Sequence, residues 1–110
     1  MNVREVVSAR GVVLVVDVEC ADGERVATEY LDAGWNVAVT ARTIRDLIRI
    51  MAGKPAHRFL AIVADPSDRR QADRILDRAS TRFGMIDRVV DRTGLVESVW
   101  RRSRHVDATA

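Results

Sequence analysis

Apolar residues recur along the chain in two rhythms that alternate from one end to the other. Val12-Val13-Leu14-Val15-Val16 is an unbroken, mostly β-branched run, the pattern of a strand buried on both faces. Residues 24–33 switch to a helical period, with Val26, Ala27, Tyr30 and Leu31 on one face and Gly34 at the expected stop. Residues 35–40, WNVAVT, read as a second strand. Thr43 and Asp46 then form a capping pair. Behind it Ile44, Leu47, Ile48 and Met51 fall at i, i+3, i+4 and i+7, which predicts an inward helix face ended by Gly53 and Pro55. A third strand covers 59–64. Pro66 and Ser67 open a longer helix with Ala72, Ile75, Leu76, Ala79 and Phe83 inward and Gly84 closing it. Residues 86–90 give a fourth strand. Beyond Gly94, Leu95, Val96, Val99 and Trp100 make one face of a short helix, and 103–110 reads as a fraying tail.

Strands alternating with helices over short connections imply a parallel sheet with right-handed crossovers and helices on both faces. The expected fold is therefore α/β, a Rossmann-like three-layer α/β/α sandwich with about four strands in the order 3-2-1-4. At 110 residues the chain is read as one domain, 1–110. No apolar run approaches the roughly 20 residues of a spanning helix, so no membrane role is expected. The N-terminal MNVREVVSARG lacks a secretory apolar stretch. The single cysteine, Cys20, allows no internal disulfide and fits a reducing, cytoplasmic setting. Charged residues make up 31% of the chain and the net charge is +2, with Lys54 the only lysine.

Three phrases carry a resemblance: LDAGWNVAVTAR at the end of strand two, Ala64-Asp65 after strand three, and RFGMID leading into strand four. In order and spacing, residues 10–94 resemble the N-terminal part of a short-chain dehydrogenase/reductase, cut off before the catalytic half. The resemblance implies four cofactor-binding positions: Gly23, the last glycine of the family's TGxxxGxG turn; Arg42, where a basic residue favours the 2′-phosphate of NADP; Asp65, where an acid meets the adenine; and Gly94, which remains of NNAG.

The departures from that pattern point elsewhere. The first two glycines of the turn are Asp17 and Ala21, and four carboxylates, Asp17, Glu19, Asp22 and Glu24, crowd the same stretch. A pyrophosphate there meets like charge, at about 4 kcal/mol for a unit pair 4 Å apart at an effective dielectric of 20. The only tyrosine, Tyr30, has Gly34 rather than lysine four residues on, so no residue is assigned a catalytic role. These features predict a non-catalytic binding or interaction protein with no cofactor, NADP(H) being the one nucleotide the pattern admits. The alternative is an NADP(H)-binding oxidoreductase component completed by another chain.

Other chemistry is weaker. The acidic turn does not follow the spacing of a calcium loop, and Asp22 with Glu24 reads as a helix start. Cys20 has no neighbouring base in sequence, since His57 and His105 lie far along the chain. Arg70, Arg74, Arg78 and Arg82 form a stripe, with Arg70–Asp73 and Arg74–Asp77 expected as contacts. The interleaved acids and scarce aromatics make a nucleic-acid binder through this stripe only a remote alternative, and a solvated face is expected. A homodimer is the expected partner arrangement. It would cover the outer edge of strand four, with Leu95, Val96, Val99 and Trp100 in the contact.

Overall fold

The computed structural model describes residues 10–20 and 22–109. Four parallel strands, β1 (Val12–Val15), β2 (Asn36–Ala41), β3 (Phe59–Val63) and β4 (Arg88–Val90), pair in the order β3-β2-β1-β4. Four helices follow them in turn: α1 (Gly23–Asp32), α2 (Ile44–Met51), α3 (Arg69–Phe83) and α4 (Leu95–Thr109). The architecture and strand order are those the sequence predicts.

Burial follows the two-residue period of the strands. Val13 and Val15 of β1 face α1 and α2, joining Val37, Val39, Ala27, Leu31, Leu47 and Ile50 in one core layer. Val12, Leu14 and Val16 face the other way, toward Ala72, Ile75 and Ala79 of α3 and Val96 of α4. β1 is therefore covered on both faces and paired on both edges. Tyr30 and Trp35 meet edge to face at 5.0 Å, and Arg88 Nη1 donates to the Tyr30 hydroxyl at 3.0 Å, which gives the only tyrosine a structural post.

Four expectations are corrected. On α2 the buried residues are Leu47 and Ile50, whereas Ile44, Ile48 and Met51 stay exposed. The helix lies over the β2–β3 margin of the sheet, so only a narrow stripe of it meets strand side chains. The last helix is not short, since α4 runs to Thr109 through most of the expected tail. Its face is not free for a second copy either: Val96 and Val99 are buried in the chain's own core and Leu95 and Trp100 pack against it. Finally, Asp73 pairs with Arg69 at 3.7 Å rather than with Arg70.

Candidate functional site at the ends of the strands

All four parallel strands end on one side of the sheet, where folds of this kind take ligands in a strand-end crevice, and the loops there carry Asp17, Arg42, Asp65 and Asp91. Asp17 stands two residues past β1 with φ +52°, the left-handed region that glycine favours and aspartate tolerates. The turn keeps the backbone of the expected glycine but carries a carboxylate. Thr40, fully buried in β2, holds that turn twice: its Oγ1 accepts from the Asp17 N–H at 2.8 Å and its carbonyl accepts from the Val18 N–H at 2.8 Å.

Arg42 is drawn into this turn. Its Nε and Nη2 both donate to Asp17 Oδ2 at 3.3 Å, and its Nη1 donates to Asp65 Oδ1 at 3.3 Å. Its backbone N–H donates to Glu19 Oε2 at 2.7 Å. The guanidinium expected to meet a 2′-phosphate thus already bridges two carboxylates, while its side chain keeps 46% exposure. Asp17 Oδ1 and Glu19 Oε1 are buried and take no donor. Burial, the largest influence, raises the Asp17 pKa above its ordinary 3.8, outweighing the lowering by Arg42.

That direction sets a pH dependence. A carboxyl with a raised native pKa contributes stability that is full below the unfolded pKa and lost as pH rises through the native one. Asp17→Asn keeps a side chain suited to the left-handed turn and removes the titration. Relative to the native chain, the variant is expected to gain stability from about pH 3 to pH 7, read from urea midpoints across that range. A difference that is flat with pH, or that shrinks toward neutrality, would contradict the raised pKa.

The other candidate positions have plainer duties. A Cβ on Gly23 would lie 2.7 Å from the Val18 carbonyl oxygen and 3.0 Å from Val18 Cα, so glycine is needed for α1 to pack against the turn. Gly94 has φ +90° and its carbonyl accepts from the Ser98 N–H at the start of α4. Asp65 accepts from the N–H and hydroxyl of Ser67, which chiefly lower its pKa, so it closes a turn as well as meeting Arg42. Asp91 repeats that turn with Thr93 and accepts from the Glu97 N–H. Asp22 precedes α1 but makes no capping bond, because Arg25 and Arg92 take its carboxylate. Ala21 and the His105 side chain lie outside the described residues.

Sequence reasoning missed Thr40, whose signal was a polar residue inside an otherwise apolar buried strand. Cys20 is exposed past the end of β1, whereas His57 precedes β3 at the opposite end of the parallel sheet, so the two are not brought together. Among the described residues no three acids, histidines or cysteines group as a metal site, and no helix is long and apolar enough to cross a membrane.

No family model and no curated protein matches the chain. Solved structures do. A 3-ketoacyl-(acyl-carrier-protein) reductase from Brucella melitensis, complexed with NADH, is 26% identical with a TM-score of 0.65 over 72% of this chain. A short-chain type dehydrogenase/reductase from Mycobacterium marinum is 26% identical with a TM-score of 0.68 over 81%. A putative short-chain dehydrogenase/reductase family oxidoreductase from Aeromonas hydrophila is similar in fold, with a TM-score of 0.68 over 88% at 17% identity. The chain spans 32%, 37% and 53% of the lengths of these three structures. With the strand order and the resemblance in sequence, they define its class: the chain has the Rossmann-half fold of the short-chain dehydrogenases/reductases.

Proposed function

We propose that this chain is a non-catalytic binding module on a short-chain dehydrogenase/reductase scaffold, whose strand-end crevice is closed to dinucleotide phosphates by its own side chains. One observation carries the reading: Arg42 is bridged to Asp17 and Asp65, with Asp17 on the backbone position of the family's first glycine. A pyrophosphate entering there would have to displace an ion pair and approach buried acids, at a Coulombic cost of several kcal/mol. The chain's own residues also offer no tyrosine–lysine pair for proton transfer, since Tyr30 is bonded to Arg88.

Calorimetric titration with NADPH tests this reading, and no saturable heat up to millimolar nucleotide is the expected result. Saturable binding that vanishes in Arg42→Ala would instead support the second reading, an NADP(H)-binding component completed by another chain. That alternative is favoured by the exposure Arg42 retains at the end of β2 and by the NADH complex of the Brucella reductase.

Self-association belongs to the first reading. β4 is an edge strand of only three residues, and a second copy is the simplest cover for it. Light scattering at micromolar concentration is expected to give twice the chain mass, and a monomer would remove this part of the proposal.

A further inference from the structure

Four of the five large exposed apolar side chains among the described residues gather at the β3 margin: Ile44 at 67% exposure, Ile48 at 64%, Met51 at 47% and Val63 at 44%. The first three share one flank of α2 through their i, i+4, i+7 spacing. Leu47 and Ile50 of that helix point down into the core, and Arg49 reaches sideways to Glu24 of α1 at 3.0 Å. The apolar flank is therefore the side turned away from α1, out past β3. Val63 ends β3 level with Ala41, near where α2 begins.

The opposite face of the same margin is basic. Arg74 and Arg78 of α3 line a cleft of about 70 Å³ with Ile62, Val63 and Gln71. Arg78 also lines a cleft of about 370 Å³ with Leu60, Asp77 and Arg82. Arg82 is engaged, donating to the Ala56 carbonyl at 3.1 Å, whereas Arg74 and Arg78 make no ion pair among the described residues.

Between these flanks runs a free strand edge. The Arg58 carbonyl accepts from Val37 and the Ala64 N–H donates to Ala41, so residues 58, 60, 62 and 64 turn their backbone groups toward β2. The N–H and C=O groups of Phe59, Ala61 and Val63 consequently point outward, as a template for another strand. Side chains of an added strand would alternate between the α2 flank and the α3 flank, one side meeting isoleucine and methionine and the other meeting free guanidinium groups.

We propose that the outer edge of β3 is a docking site for an extended segment of a partner protein that alternates apolar and acidic side chains and joins the sheet as a fifth strand. Backbone pairing supplies the common affinity and the two flanks supply the selection. A second copy of this chain fits less well. The two-fold axis of an antiparallel β3 pair stands normal to the sheet, and would bring Arg74 and Arg78 against their own copies, where Asp77 is the one acid lining the two clefts against three arginines. The inference holds whichever way the strand-end crevice is read.

The test is a fluorescein-labelled synthetic peptide alternating valine and glutamate, followed by anisotropy and by amide exchange on the labelled protein. Saturable binding is expected, with slowed exchange at Ala61 and Val63. Affinity should fall about tenfold when the glutamates become lysines, and similarly in Arg78→Glu and in Ile48→Asp, both exposed changes that leave the circular dichroism intact. Absence of binding, equal affinity for the lysine peptide, or protection appearing at β4 instead would overturn the proposal. So would a dimer that Ile48→Asp dissociates, which would assign the edge to a second copy. A DNA oligonucleotide bound through Arg78 in place of the peptide would also overturn it.

Discussion

Ile75→Ala is expected to cost about 2–5 kcal/mol, the range for truncating a buried isoleucine to alanine. α3 meets the sheet mainly through small residues, for Ala72 and Ala79 are its other buried positions. Ile75 is thus the one large, fully buried side chain that α3 contributes to the layer with Leu14, Ala38, Ile62 and Val96. Its loss would leave a cavity that neighbouring alanines cannot fill. The matched control is Ile48→Ala, the same chemical change on the exposed flank of α2, expected within about 0.5 kcal/mol of the native chain. Urea midpoints of the two variants decide the matter. Comparable losses would mean that the flank of α2 is packed.

Thr40→Val should remove about 1–3 kcal/mol despite preserving shape, because the buried Asp17 N–H loses its acceptor. The effect extends to the crevice. That hydrogen bond fixes the left-handed turn, and the turn sets where the Asp17 carboxylate meets Arg42. Faster amide exchange at Asp17, together with the lower urea midpoint, is the expected signature. An unchanged exchange rate would show that the turn holds without the threonine.

The sheet was legible because its strands are continuous apolar runs separated by glycine stops, and Gly34 and Gly84 do close α1 and α3 with positive φ. Both faces of β1 are buried, which requires helices on either side and leaves few topologies. The buried face of α2 was not legible. Ile44, Leu47, Ile48, Ile50 and Met51 spread over an arc of about 160° at 3.6 residues per turn, wider than one buried stripe, and two apolar faces compete within it. What decides between them is that the helix covers the margin of the sheet, a tertiary fact. The fate of the α4 face had the same origin, since local periodicity cannot tell an inward contact from an outward one.

At the site, Arg42 and Asp65 lie at strand ends where their positions in sequence put them. The bridging of Asp17 and Asp65 by Arg42 was not legible, because it joins residues more than twenty apart and depends on the turn after β1. Like charges crowding residues 17–24 suggested repulsion of an anion. The structure adds that two of them, Asp17 and Glu19, are used internally on Arg42 and its backbone.

The central place of β1 has a kinetic consequence. Its partners arrive at very different times during synthesis: β2 follows after a short crossover, whereas the bond from Val12 N–H to Asp87 Oδ2 spans 75 residues. Until β4 emerges, the most apolar strand of the chain presents one bare edge and an uncovered face awaiting α3 and α4. Such non-local closure slows folding and exposes a sticky edge meanwhile. The last quarter of the chain therefore acts as the latch that ends this vulnerable interval.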